Sequence, residues 1–331
     1  MESFIRPNNL AQDARNRNLP AKSQSYTRRT GFYKPPSREL LVSATFSMQP
    51  TFGASTWLWT SPFDSTKTAL IEKIAALGFG AVELPIEDPA LVDAKALAPV
   101  IAATGLKVHL CGAFGPGRDL TDADPAVRAS TRAYLSQLMD LAEALNAGFV
   151  AGPMYSRVGK ARQLPESERK REWDLAVSEL RTVSEEAGNR GLAIAIEPIN
   201  RFETDLVNNT AQAVQMVRDI DHPAAKVMID TFHMTIEESN LGDAVRHAGK
   251  DLIHVQVSEN HRGVTGTGLT PWADFRDGLR DIGYNGSIII ESFTPDNRDL
   301  AGAVCIWKRF TKDQDEFASR GLDFLKNLFA Q

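Results

Sequence analysis

Residues 192–230 read LAIAIEPINRFETDLVNNTAQAVQMVRDIDHPAAKVMID. An apolar run at 192–196 ends in Glu197, an amphipathic stretch follows at 210–220, and a second apolar run at 226–229 ends in Asp230. Short apolar runs joined by an amphipathic helix are typical of two parallel strands and their crossover connection. We therefore predict a strand–helix–strand unit in which each strand is followed by a carboxylate.

The same alternation continues in both directions from this unit. Eight strand-like runs occur, at 52–57, 80–84, 106–112, 149–152, 192–196, 226–229, 252–257 and 287–290. Helical patterns occur between or after them, at 66–77, 125–145, 166–190, 210–220, 272–282 and 317–329. Eight such repeats in about 280 residues predict an α/β protein with a single (β/α)8 TIM barrel. A doubly wound open sheet is the alternative, but it usually needs fewer repeats, and no GxGxxG follows the first run.

The N-terminal segment differs from the rest of the 331-residue chain. Residues 1–47 contain eight Lys or Arg and three acidic residues, a net charge of +5, so the other 284 residues carry −10 of the total of −5. This segment is rich in Asn, Ser, Arg and Pro and has no apolar period, which indicates an irregular, flexible basic arm. We predict an arm at 1–47 and a catalytic barrel at 48–331. The arm could order on a neighbouring subunit, direct the protein to an organelle, or precede a true start at Met48.

Composition excludes several classes of protein. Apolar residues make up 43% and charged residues 24%, as in globular proteins. No apolar run is long enough to span a membrane and no secretory signal is evident, so we expect no membrane partner and a cytoplasmic location. Cys111 and Cys305 are too few for a disulfide framework. The acidic barrel argues against nucleic acid as a partner.

Three carboxylates follow strongly apolar runs: Glu197, Asp230 and Glu291. In a barrel, the carboxyl ends of the strands meet at one mouth, where chemistry is usually located. Buried carboxylates that converge repel each other, and a divalent cation is the simplest way to neutralise them. Strand alternation places His254 and Gln256 on one face of the seventh run. Either could be the fourth ligand, and Gln256 lies nearer the mouth.

Four segments carry a resemblance to a known family: EPINRFE at 197–203, DTFHMTIEE at 230–238, SENHRGVTGTG at 258–268 and ESF at 291–293. They resemble the xylose-isomerase-like sugar epimerases, in particular the ketose 3-epimerases that act on D-tagatose and D-psicose. The resemblance covers roughly residue 52 to the C-terminus. It implies a divalent metal bound by Glu197, Asp230, the residue at 256 and Glu291. It also implies that the substrate contacts Glu203, His233 and Arg262.

Gln256 departs from the pattern of the ketose 3-epimerases, which usually have histidine there. Glutamine is associated with the hydroxypyruvate isomerase-like relatives of the same superfamily, so an aldose–ketose isomerase is an alternative function. Oxygen ligands favour hard cations. We therefore expect Mn²⁺, with Mg²⁺ and Co²⁺ as alternatives.

The resemblance implies a homodimer or homotetramer that epimerises a free ketohexose or ketopentose at C3. A proton would be removed and returned through a metal-stabilised enediolate, with Glu197 and Glu291 as acid and base on opposite faces of the sugar. The second alternative is a 3-oxo-C-glycoside lyase, a C-deglycosidase subunit with a small β-rich partner. In that enzyme, His109 or His233 would be the base.

Other polar and aromatic residues are candidates for binding the sugar. Trp57 and Tyr155 could stack on its apolar face, and Glu83 could accept a hydrogen bond from a distal hydroxyl. Arg118 and Lys160 could bind a phosphate if the substrate were a sugar phosphate, although isolated basic residues on loops are usually solvated.

Overall fold

The computed structural model describes residues 50–331, so the predictions for residues 1–47 and Met48 lie outside the described residues and stay predictions. Eight parallel strands close into a barrel in chain order, which confirms the predicted single (β/α)8 barrel. The strands are β1 Thr51–Ser55, β2 Ala81–Ile86, β3 Lys107–Gly112, β4 Phe149–Gly152, β5 Ala193–Ile196, β6 Ala225–Asp230, β7 Leu252–Val257 and β8 Ser287–Ile290.

Helices surround the barrel and form its outer layer. They are α1 Thr68–Ala76, α2 Ala94–Thr104, α3 Pro125–Ala144, α4 Glu166–Asn189, α5 Thr210–Ile220, α6 Thr231–Glu237, α7 Leu241–Ala248, α8 Trp272–Asp281, α9 Arg298–Ala303 and α10 Gln314–Ala330. Short 3₁₀ turns lie at Thr56–Leu58, Pro89–Leu91 and Gly249–Asp251. None of the helices within residues 50–331 has both the length and the apolar character needed to cross a bilayer.

Helices α2, α6, α7 and α9 were not among the six helical patterns in the sequence. Helix α2 contains Pro99, which removes a backbone donor, and only Leu97 of its residues is buried. Helix α6 begins at the residue after β6 ends, so no turn signal separates the two elements. Such short or weakly amphipathic helices are formed by tertiary packing more than by local pattern.

Side-chain caps show why several helices begin where they do. The Asp124 carboxylate accepts the backbone N–H of Ala126 at 2.8 Å at the start of α3. At the start of α5, Asn209 and Gln212 form a reciprocal capping box. These side chains satisfy backbone donors that have no partner inside the helix. These caps therefore fix where the loops before α3 and α5 end.

The two faces of the sheet differ in character. Residues such as Val255 and Val257 face outward into the main apolar core between strands and helices. The inward face holds small residues, among them Ala151 and Ala195, which form a separate cluster. At Gly53, an added Cβ would lie 2.5 Å from Ile289 Cδ1, so only glycine fits there. Small residues leave room inside the barrel for polar side chains.

Candidate active site at the carboxyl ends of the strands

The three carboxylates predicted from the sequence lie at the mouth of the barrel. Asp230 is the last residue of β6, while Glu197 and Glu291 directly follow β5 and β8. All three are buried, with 5% or less of each residue exposed. Asp230, Glu197 and His233 place possible ligand atoms within 4.8 Å of one another. Asp230 and Glu291 both accept hydrogen bonds from Nη1 of Arg262, at 2.6 and 2.8 Å. The structure therefore brings the three carboxylates together around one space.

Burial and mutual repulsion dominate the electrostatics of this cluster. Burial raises the pKa of Glu197 well above its usual value, and the nearby Glu291 and Asp230 raise it further. Burial also raises the pKa of Glu291, although the adjacent Arg262 opposes that shift. Arg262 offsets one of the three negative charges. The two that remain equal the charge of one divalent cation.

Arg262 is held firmly in the loop after β7. Its backbone is in the left-handed region, with φ of 61°. Its guanidinium lies over the Phe232 ring, 3.9 Å from the ring centroid. Burial disfavours the charge, but Asp230 and Glu291 raise the pKa of Arg262. The arginine is therefore a fixed positive charge at the mouth.

His233, on α6, faces the same space with one nitrogen. Its Nδ1 accepts the backbone N–H of Asn200 at 3.1 Å. Burial lowers the pKa of His233, which favours the neutral ring. A neutral ring whose Nδ1 accepts a hydrogen bond carries its proton on Nε2. Nε2 lies 3.7 Å from Glu197 Oε1 and 3.9 Å from Asp230 Oδ2, so His233 is better suited to donate a hydrogen bond than to bind a metal.

Asn200 links His233 to Glu203. Its side-chain amide donates to Glu203 Oε1 at 2.7 Å and lies 2.9 Å from His233 Nδ1. Glu203 is half-buried, so it lies at the rim of the site. Sequence reasoning did not assign a role to Asn200, although its position between Glu197 and Glu203 in the segment EPINRFE was a usable signal.

Gln256 and His254 share one face of β7, as alternation predicts, and both contact Glu83. Gln256 Nε2 donates to Glu83 Oε1 at 2.8 Å, and His254 Nε2 lies 2.6 Å from Glu83 Oε2. Gln256 pairs in register with Asp230, whereas His254 pairs with Met228, one layer deeper. Gln256 Oε1 is buried and has no hydrogen-bond partner among residues 50–331. Gln256 is therefore the β7 side chain at the level of the carboxylates.

Three of the predicted sugar-binding residues lie outside the carboxylate cluster. His254 and Gln256 engage both oxygens of Glu83 below the carboxylate cluster. Trp57 is half-buried beside β1, and its Nε1 donates to Glu87 at 2.7 Å. Tyr155 is fully buried, and its hydroxyl donates to the Val207 carbonyl at 3.0 Å. The hydrogen bonds of these side chains support the loops and interior around the site.

The donor set fits a divalent cation. Three carboxylates and the unpartnered amide oxygen of Gln256 are all oxygen donors. Hard cations such as Mn²⁺ and Mg²⁺ prefer such ligands. A buried polar atom without a partner calls for an explanation, and a bound ion is one. Glu197, Asp230, Gln256 and Glu291 are thus the side chains that could hold a metal here.

Glu259 has a role that the sequence did not reveal. Its buried carboxylate accepts hydrogen bonds from Gly266 N at 2.7 Å, Trp272 Nε1 at 2.8 Å and Thr270 Oγ1 at 2.8 Å. Its backbone carbonyl accepts the N–H of Arg262 at 2.9 Å. Glu259 therefore organises the loop that carries Arg262. Its place in the segment 258–268 was the only signal in the sequence.

Several known proteins resemble this chain in sequence and in fold. The model of the xylose isomerase-like TIM barrel family matches residues 71–328. A D-psicose 3-epimerase from Ruminiclostridium cellulolyticum is 31% identical over 263 residues, covering 78% of this chain and 89% of the relative. An L-ribulose 3-epimerase from Mesorhizobium japonicum is 31% identical over 276 residues, covering 82% and 92%.

A solved crystal structure is also similar to this chain. The crystal structure of a D-allulose 3-epimerase from Methylomonas sp. superposes with a TM-score of 0.79 at 27% identity, covering 85% of this chain and 98% of that one. Together with the matched family model, this similarity shows that the chain belongs to the xylose isomerase-like TIM barrel family.

Proposed function

We propose that this isomerase is a metal-dependent ketose 3-epimerase that acts on a free ketohexose or ketopentose. The observation that carries the proposal is the buried cluster of Glu197, Asp230 and Glu291, with Arg262 and His233 facing the same space. Relatives named as D-psicose and L-ribulose 3-epimerases match most of the chain, which supports a keto sugar as substrate.

In this proposal, Glu197, Asp230, Gln256 and Glu291 hold the cation, for which we favour Mn²⁺. The bound cation would supply Lewis-acid stabilisation of the negative charge that develops on the sugar oxygens. In the same scheme, Arg262 and the Nε2 hydrogen of His233 would donate to these oxygens and orient them. Glu203, at the rim, would accept a hydrogen bond from a sugar hydroxyl.

Epimerisation at C3 needs a base on one face of the sugar and an acid on the other. Glu197 and Glu291 follow β5 and β8, and burial raises the pKa of each carboxyl group, which favours the protonated form that a general acid needs. Their surroundings differ, because Glu291 contacts Arg262 while Glu197 faces His233. Arg262 favours the ionised form of Glu291. For one direction of the reaction, we therefore assign Glu291 as the base that removes the proton and Glu197 as the acid that returns one.

The engagement of nearby basic residues supports a free sugar rather than a sugar phosphate. Lys160 is buried, and its Nζ lies 3.0 Å from Asp119 Oδ2 and 2.6 Å from Thr121 Oγ1. Arg118 donates to the Ala113 carbonyl at 2.6 Å. Lys160 is therefore buried in an ion pair rather than solvated, and half-exposed Arg118 already donates to a backbone carbonyl, which argues against a phosphate-binding role for either side chain.

His109 gives little support to the lyase alternative. Its Nε2 lies 2.8 Å from Ser287 Oγ, at the first residue of β8 and therefore far from the mouth. Burial, together with the neighbouring His254, lowers the pKa of His109 to about 3. A ring in this position supports the barrel interior and is poorly placed to act as a base on a sugar.

The test is incubation with Mn²⁺ and D-fructose, D-tagatose or L-ribulose in heavy water, followed by chromatography and mass spectrometry. We expect the C3 epimer, with deuterium at C3. Glu291→Gln should lose at least about a hundredfold in kcat, because general acid–base catalysis contributes about 10²–10⁴-fold. Glu72→Gln makes the same chemical change on the exposed face of α1 and should leave turnover unchanged.

Three outcomes would contradict the proposal. Wild-type turnover by Glu291→Gln would refute the two-carboxylate scheme. An aldose product in place of the C3 epimer would favour the aldose–ketose isomerase. Inert free ketoses combined with consumption of a 3-oxo-C-glycoside would favour the lyase.

A further inference from the structure

The proposed metal site raises the question of how an uncharged amide is held with its oxygen toward three carboxylates. The amide of Gln256 has two ends, and only its carbonyl oxygen can be a ligand for a cation. Its NH₂ end is a donor, and Asp230, Glu197 and Glu291 could each accept a hydrogen bond from it. Without another constraint, the carboxylates would attract the NH₂ end and turn the oxygen away from the site.

Glu83 supplies that constraint from the opposite wall of the barrel. It lies on β2, is fully buried, and accepts the Gln256 Nε2 hydrogen at 2.8 Å. A carboxylate only accepts hydrogen bonds, so the NH₂ end of the amide must face Glu83. The planar amide then directs Oε1 away from Glu83, and that oxygen is the buried atom without a partner in the described barrel.

His254 holds Glu83 in turn. It lies two residues before Gln256 on the same face of β7, and its Nε2 is 2.6 Å from Glu83 Oε2. The His254 ring itself packs against both Phe149 and His109, with centroid distances of 5.0 and 5.2 Å. Both oxygens of Glu83 are therefore engaged, and the carboxylate cannot turn away from Gln256 without breaking a buried hydrogen bond.

We propose that Glu83, held by His254, is a positioning residue that fixes the Gln256 amide with its carbonyl oxygen toward the three carboxylates. This role replaces the hydrogen bond to a sugar hydroxyl that the sequence suggested for Glu83. The inference rests on the metal site of the proposed function. It concerns how strongly the cation is bound and does not require Glu83 to touch the sugar.

Replacement of Glu83 by glutamine keeps the size of the side chain but removes a partner that can only accept a hydrogen bond from Gln256. A glutamine can donate as well as accept, so the Gln256 amide can turn and present its NH₂ end to the carboxylates. Loss of an outer partner of a metal ligand typically weakens metal binding about 10–100-fold. We expect that loss for Mn²⁺ in Glu83→Gln.

The experiment measures the Kd for Mn²⁺ from the electron paramagnetic resonance signal of the free ion. It uses the full-length wild type, Glu83→Gln, Gln256→Ala and the double variant. If Glu83 acts through Gln256, the two losses are not additive, and the double variant binds Mn²⁺ about as weakly as Gln256→Ala alone. Glu172→Gln, a buried carboxylate in the Lys160 ion pair, is the matched control and should bind like wild type.

Defined results would overturn this inference. Wild-type affinity in Glu83→Gln, or an equal loss from that change in the Gln256→Ala background, would refute positioning while leaving the metal site intact. If the wild type bound no Mn²⁺, the proposed metal site would fail, and this inference with it. If Glu83→Gln did not fold, His254→Phe would replace it, because it keeps the ring but removes the donor to Glu83. Unchanged Mn²⁺ affinity in that variant would equally refute the proposal.

Discussion

Replacement of Glu259 by glutamine tests whether one buried carboxylate holds the loop that carries Arg262. On one side, Oε1 accepts from Gly266 N and Trp272 Nε1. On the other side, Oε2 accepts from the hydroxyl of Thr270 at 2.8 Å and from its backbone N–H at 3.3 Å. Glutamine has nearly the same shape, but it offers an oxygen on only one of the two sides.

The magnitude comes from counting donors. Whichever way the new amide turns, its NH₂ group faces two N–H donors that lose their acceptor: Gly266 N and Trp272 Nε1 on one side, or Thr270 N and Asn260 N on the other. A buried donor left unsatisfied costs about 1–3 kcal/mol, so we expect Glu259→Gln to lower the free energy of unfolding by about 3 kcal/mol. For a chain of this size, that corresponds to a Tm lower by about 6 °C.

The effect should also depend on pH with a defined sign. Burial alone would raise the pKa of Glu259, but hydrogen bonds from Trp272 and Thr270 hold it below its ordinary value. A pKa lowered by folding stabilises the protein above the unfolded-state pKa of about 4.3, and this stabilisation is lost as pH falls through the folded-state pKa. The difference between wild type and Glu259→Gln should therefore be constant from about pH 5 to 8 and shrink below about pH 4.

Urea and thermal unfolding at pH 7 and at about pH 3 would measure both effects. Glu238→Gln is the matched control, because within residues 50–331 that half-buried carboxylate accepts one hydrogen bond, from Thr210 N at 2.7 Å, which an amide oxygen can also accept. We expect the control to cost less than about 1 kcal/mol. Equal costs for the two variants, or a pH-independent cost for Glu259→Gln, would refute the reasoning.

Two further variants test other buried groups. Lys160→Met should cost about 3–5 kcal/mol in urea unfolding, because it leaves the buried Asp119 carboxylate without its cation, although Glu172 keeps its ion pair with Arg162. Lys170→Met, in an exposed ion pair, should cost less than about 0.5 kcal/mol, and similar costs for the two would contradict this. Tyr155→Phe should lose about 1 kcal/mol with its hydrogen bond to a backbone carbonyl while kcat/KM stays unchanged, and a tenfold loss of kcat/KM would restore the sugar-binding role.

The strands were predictable because parallel strands buried on both faces read as continuous apolar runs. The run at 192–196 became Ala193–Ile196, and the run at 226–229 became Ala225–Asp230. Helices were predictable where apolar residues recur at helical spacing, as in Glu166–Asn189, in which Ala176, Leu180, Val183 and Ala187 are buried. The sequence did not predict Ala94–Thr104, in which Pro99 interrupts the pattern and contacts with the neighbouring helices hold the segment in place.

The carboxylate cluster was predictable for a related reason. Each of Glu197, Asp230 and Glu291 follows an apolar strand, and a closed barrel brings the ends of its strands to one mouth. The contacts between these residues were not predictable, since no local rule says that the Arg262 guanidinium bridges Asp230 and Glu291. They depend on a loop whose shape Glu259 sets through several hydrogen bonds.

The sequence by itself determined the eight-stranded barrel and the carboxylates at its mouth, because both depend on apolar periodicity and on the residue type at the end of each strand. Only the tertiary structure decided which partners those residues meet. Glu83 and Gln256 are 173 residues apart and come together because the barrel closes. That closure sets the Gln256 amide against Glu83, and this contact is the basis of the positioning role proposed for Glu83.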